Sequence, residues 1–188
     1  MSAITHEGSY SRLSINRIGM WLFFVSEGFL FAGLLIARIS LLGGTRPELD
    51  QNLGLLITSI LLLSSFFVNR SEVAIAHGDR SGFLMSTLIT IVLGIVFVVG
   101  VGYEWSIAHF APDENVHGAI FFSMTGMHAL HVISGIVILI MVYINGQKGH
   151  YSAEAHWGVE ASALYWHFVD VVWVFFYVAL YLIGTPVT

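Results

Sequence analysis

Five long apolar runs, separated by short polar segments, leave this chain almost no choice of solvent. They extend from about Ile18 to Leu42, Leu53 to Ala76, Phe83 to Tyr103, Ala119 to Ile144, and Val159 to Ile183. A helix needs about 20 mostly apolar residues to cross a bilayer, and each run supplies that. Backbone polar groups in hydrocarbon must be paired within the segment, so the runs are predicted to be helices. Turn-forming residues stand between them: Gly43-Gly44-Thr45-Arg46-Pro47, His77-Gly78-Asp79-Arg80, Ala111-Pro112-Asp113-Glu114-Asn115 and Asn145-Gly146-Gln147-Lys148-Gly149, with Gly184 and Pro186 after the last. Only 10% of residues are charged, against about 25% in soluble domains. The reading is an all-α polytopic membrane protein, one domain over residues 1–188, with no room for a separate soluble unit.

The first dozen residues are polar, and the apolar stretch behind them exceeds a signal-peptide core and lacks a small-residue cleavage site, so it reads as a retained span. The chain has no cysteine, which removes structural disulfides, thiolate metal sites and iron–sulfur clusters. Seven Lys and Arg, unclustered, give no footprint for nucleic acid. Their placement sets an expected orientation. Arg12, Arg17, Arg70, Arg80 and Lys148 fall on one side, Arg38 and Arg46 on the other. The positive-inside bias then puts the N-terminus on the cytoplasmic side and the C-terminus outside. Arg38 is expected to snorkel from its helix end. Tyr103, Trp105, Trp157, Tyr165 and Trp166 are expected in an aromatic belt with no chemical role.

An ionisable side chain at mid-bilayer costs about 2.5–3.5 kcal/mol or more, so each one needs a reason. The spans hold Glu27, His128, His131, Glu160, His167 and Asp170, with Glu104 near an interface. Glu27 is either a neutral carboxyl hydrogen-bonded to a neighbouring helix or a proton-handling or lipid-headgroup site. His128 and His131, three residues apart, share one side of their helix, beside Gly126, Ala129, Ser134 and Gly135, which suit close helix packing. Glu160, His167 and Asp170 form a second stripe, expected to face protein and find polar partners there. A di-iron bundle needs Glu-x-x-His pairs on two helices, which are missing, and neighbours three residues apart cannot bracket a haem iron. No metal site is therefore assigned, and an interhelical hydrogen-bond network is the favoured reading.

The order of residues in the last two helices adds more. Gly126-Met127-His128-Ala129-Leu130-His131-Val132-Ile133-Ser134-Gly135 resembles a signature of subunit III of the haem–copper oxidases. So do His156-Trp157-Gly158-Val159-Glu160-Ala161 and the run Tyr165-Trp166-His167-Phe168-Val169-Asp170-Val171-Val172-Trp173. Gly19-Met20-Trp21-Leu22-Phe23 and Ser26-Glu27 match the family pattern around a membrane-embedded Glu, and Gly78-Asp79-Arg80 and Tyr103-Glu104 fit its middle helices.

The resemblance implies a short, five-helix bacterial form that lacks the first two helices of the longer members. It implies a division into a two-helix and a three-helix bundle with a lipid-filled cleft. It further implies a subunit with no catalytic centre and no cofactor of its own, packed beside catalytic subunit I and subunit II, which carry the haem and copper. Holding structural phospholipid and supporting oxygen access and proton uptake are the implied roles. Glu27, His150 and His156 match family positions near bound lipid. Asn145 stands where longer members have an Arg, so headgroup binding there would have to fall to Lys148. The expected location is a bacterial inner membrane. Alternatives are a related subunit of a quinol oxidase or nitric oxide reductase, or, in other classes, a stand-alone proton-coupled transporter or a metal-dependent membrane enzyme. Five spans without internal Pro argue against the transporter.

Overall fold

A computed structural model describes residues 12–187, so the polar segment 1–11 and Thr188 lie outside the described residues. The five runs form five helices, the first four longer than their apolar stretches: α1 (Arg12–Leu42), α2 (Gln51–Ala76), α3 (Arg80–Ile107), α4 (Val116–Gln147) and α5 (Trp157–Tyr177). All five are long and apolar enough to span a membrane. The extra turns come from capping residues that hydropathy does not see. Asp50 accepts from the amides of Asn52 and Leu53, Asp79 from Gly82 and Asn115 from Gly118, satisfying amides the first helical turn leaves open. Gly78 and Gly149, both at φ 77°, turn the chain out of α2 and α4 in a conformation that costs other residues a steric clash.

α5 does not end as an α-helix. Residues Val178–Leu182 widen into a π-turn, in which the amide of Ile183 bonds the Val178 carbonyl, five residues back. The Ala179 carbonyl thereby loses its usual amide. Arg38 supplies the replacement: its Nε donates to Ala179 O at 2.8 Å, and its Nη2 to Ile183 O at 2.7 Å. Arg38 is 1% exposed, so the snorkelling expected of it is corrected. Its fork is fixed inside by carbonyls that the π-turn and the following bend present. Beyond it, β1 (Thr45–Pro47) and β2 (Thr185–Val187) pair in parallel, tying the α1–α2 connection to the C-terminal residues.

The expected division into two and three helices is also corrected. α2 packs most extensively on α3 and also on α5, α3 packs on α4, and α4 packs on α5. These four close into one bundle, and α1 lies outside it against α4 and α5. The reason is visible at Trp166, in the middle of the bundle. A methyl group placed on Gly94 of α3 would meet its ring at 2.6 Å, and one on Gly135 of α4 at 3.0 Å. The indole Nε1 donates to Ser64 Oγ of α2 at 2.8 Å. One side chain of α5 thus engages three other helices, using glycines where the ring must fit. Trp173 repeats the device, donating to Thr58 of α2 at 3.0 Å. Tyr165 and Trp166 are therefore core residues rather than members of a lipid-facing belt.

Candidate functional site

α1 meets the bundle at mid-membrane through Glu27 and His131. Glu27 Oε2 lies 3.1 Å from His131 Nε2, while His131 Nδ1 lies 2.8 Å from the Met127 carbonyl. A carbonyl only accepts, so Nδ1 carries a hydrogen. The bond to Glu27 then holds one further proton, either on the carboxyl or on the ring. Either way the pair is neutral overall, which makes it tolerable at this depth. Phe31 covers it, its ring 4.7 Å from the imidazole. Helical spacing did not announce this pairing, because the two residues are 104 positions apart.

His128 parts from His131. It is fully buried among Trp173, Phe97 and Phe176, with its ring centroid 4.7 Å from that of Trp173, and neither ring nitrogen has a hydrogen-bond partner. The expected stripe on α5 also divides. Asp170 is buried and accepts from Ser65 Oγ of α2 at 2.7 Å, leaving Oδ1 without a partner. His167 is half-buried, and no hydrogen bond joins it to Asp170 or to any other described residue. Glu160 lies in the first turn of α5, 3.6 Å from Arg17 and 3.5 Å from His156.

His150 and His156 border one cavity of about 350 Å³, together with Arg17, Glu154, Trp157 and Glu160. The guanidinium of Arg17 sits 5.8 Å from the centre of the Trp157 ring. Neither Asn145 nor Lys148 borders this cavity; among the described residues, Arg17 is the Lys or Arg that does. Sequence reading used Arg17 for orientation only and missed its place here. Glu72, half-buried on α2 and within electrostatic reach of Glu160 and His156, was also missed.

Two further hollows lie between α1 and α5. One is lined by Gly19, Met20, Phe23, Trp157 and Ala161. The other, about 230 Å³, is bordered by Gly28, Phe31, Leu35, Phe168, Val172 and Phe175. Phe24 stacks on Phe168 at 5.0 Å between the two. At the opposite end of the bundle, Tyr181 donates to Glu104 Oε2 at 2.6 Å, and Glu104 Oε1 is buried without a partner. Glu104 is thus inside the protein rather than at its surface. Among the described residues, no group of three or more His, Cys, Asp or Glu side chains is placed to hold a metal ion.

Five apolar helices, with Glu27, Asp170 and Glu104 hydrogen-bonded between helices, define a polytopic helical membrane protein. The chain belongs to the cytochrome c oxidase subunit III family, whose model matches residues 5–185. It is 39% identical over 182 residues to cytochrome c oxidase subunit 3 of Dasypus novemcinctus, covering 90% of this chain and 70% of the relative. It is 36% identical over 184 residues to cytochrome c oxidase subunit 3 of Synechocystis sp., covering 94% and 79%. The chain is an accessory subunit of an oxidase complex and associates with other oxidase subunits.

Proposed function

We propose that the chain is a non-catalytic subunit that holds structural phospholipid against the oxidase, stabilises the catalytic subunit and supports its access to oxygen and protons. Haem and copper belong, in this reading, to subunits I and II, its direct partners. The observation that carries the lipid role is the row of hollows along α1 and α5, charged at the Arg17 end and apolar at the other. A phospholipid has that same order of chemistry along its length. Arg17, His150 and His156 are suited to a phosphate, and the hollow beyond Phe24 to an acyl chain. Glu27 serves here by joining α1 to α4, one residue before Gly28 on the wall of that hollow. We place the chain in a bacterial inner membrane, with the start of α1 and the Arg17 cavity on the cytoplasmic side, following the Lys and Arg bias.

The test is lipid analysis of the purified complex. Arg17→Gln with His156→Gln is expected to reduce phospholipid bound per complex and to shorten activity under continuous turnover, with initial oxygen consumption little changed. An unchanged lipid content would refute the lipid role. Haem, copper or iron remaining stoichiometrically on the chain after separation from its partners would refute the non-catalytic one.

A further inference from the structure

One strip of α5 stays exposed along most of its length. Leu164, His167, Val171, Val174 and Val178 recur at spacings of three, four, three and four, so they follow one side of the helix. The four aliphatic members are between 37% and 55% exposed. α1 packs on another side of α5, through Phe168 and Phe176, and of the strip only Val171 borders a hollow between them.

Lipid would satisfy the aliphatic members, but not the centre of the strip. His167 sits in the middle of α5, half-buried and without a hydrogen-bond partner among the described residues. Asp170, three residues on, is within electrostatic reach but is enclosed in the bundle, where it accepts from Ser65, and it gives His167 no hydrogen bond. Ionisable side chains within a span face protein or a water-filled cavity and find partners there. An acyl chain has no hydrogen bond to offer, whereas a helix with a polar side chain does. A single polar position in an aliphatic seam also fixes the register of two packed helices.

We propose that this strip is the surface on which a transmembrane helix of a neighbouring oxidase subunit lies, with a hydrogen-bonding side chain set opposite His167. The contact takes a partner that carries a hydroxyl or amide, such as Ser, Thr, Asn or Gln, because an imidazole nitrogen of His167 can donate or accept. The inference rests on the reading of the chain as an oxidase subunit.

The test uses the purified intact complex. Val174→p-benzoylphenylalanine, irradiated, is expected to form an adduct with a transmembrane peptide of another oxidase subunit, identified by mass spectrometry. His167→Leu is expected to weaken retention of the chain in detergent by roughly three- to twentyfold, the worth of one interhelical hydrogen bond. His167→Gln keeps hydrogen-bonding capacity and should retain most of the binding. Thermal unfolding of the separated chain should be nearly the same for the wild type and both His167 variants, since His167 has no hydrogen-bond partner among the described residues. Adducts with lipid alone, in a complex that still holds the chain, overturn the strip and leave the oxidase reading standing. Wild-type retention of His167→Leu overturns it as well, and so does a loss of stability in the separated chain. Failure of the wild-type chain to co-purify with haem-bearing subunits counts against the oxidase reading itself.

Discussion

Arg38 donates to the carbonyl of Ala179 across 141 positions of sequence, at the residue where α5 has widened into a π-turn. A guanidinium gives five hydrogens in a planar fork, and here Ala179, Ile183 and Gly43 carbonyls take three of them. A lysine ammonium at the same position lacks that planar fork.

Arg38→Met should therefore release the C-terminal residues. Hydrogen bonds to charged groups contribute about 1.5–3 kcal/mol each, and loss of the set leaves buried carbonyls unpaired. The expected result is a lower unfolding temperature in detergent and faster proteolysis near Thr185. Arg38→Lys should recover part of both. Unchanged proteolysis in Arg38→Met would show that the β1–β2 pairing holds the tail alone.

Glu27 and His131 should behave as a coupled pair. Glu27→Leu leaves the ring nitrogen without its partner, and His131→Leu leaves the carboxyl alone at membrane depth. The double substitution removes both problems, so a double-mutant cycle on thermal stability should give a coupling of about 1–2 kcal/mol. Glu27→Gln retains a donor toward Nε2 and should be close to wild type, with initial oxygen consumption by the intact complex little altered. Immediate loss of most activity in an assembled Glu27→Gln complex would mean that this carboxyl carries an obligatory proton step.

Gly94→Ala should be poorly tolerated for a steric reason. Its new methyl group would stand 2.6 Å from the Trp166 ring, whereas Gly102→Ala on the same helix meets nothing within 4 Å. Overpacking of this kind costs about 1–3 kcal/mol. Unfolding temperatures of the two variants, compared in one detergent, give the check: a fall for Gly94→Ala and none for Gly102→Ala.

Tyr181→Phe should cost more than Glu104→Gln. The first leaves a buried carboxyl with no partner on either oxygen, whereas the second keeps an acceptor for the Tyr181 hydroxyl. A buried polar group left unsatisfied costs about 1–3 kcal/mol. Equal stabilities would mean that water already reaches Glu104.

The five spans and the family were legible because hydropathy and residue order are properties of the chain itself. The arrangement of the helices was not. In a membrane protein the core is no more apolar than the lipid-facing side, so no moment tells a helix which way to turn. Trp166 illustrates this: it looked like an interfacial anchor, and its burial depends on Gly94 and Gly135, glycines of two other helices. Helical spacing placed His128 beside His131, but not the 104-residue connection to Glu27. The π-turn left no mark in Val178-Ala179-Leu180-Tyr181-Leu182, an ordinary apolar stretch. Spacing put His167 and Asp170 in one stripe, but among the described residues only Asp170 has a hydrogen bond.

The clasp at Arg38 also has a consequence for biosynthesis. The ribosome delivers Arg38 well before Ile183, with 145 positions between donor and acceptor. Until the last stretch emerges, Arg38 lacks two of its three carbonyls, and the α1–α2 connection has no strand to pair with. The bundle of α2 to α5 draws on contacts between neighbours in sequence, except where α5 returns to α2. Closure of α1 onto the bundle is therefore the late event, since long-range contacts wait on chain completion. A ribosome stalled just short of Ala179 should leave α1 inserted in the bilayer but unclasped, detectable by cross-linking between α1 and α5.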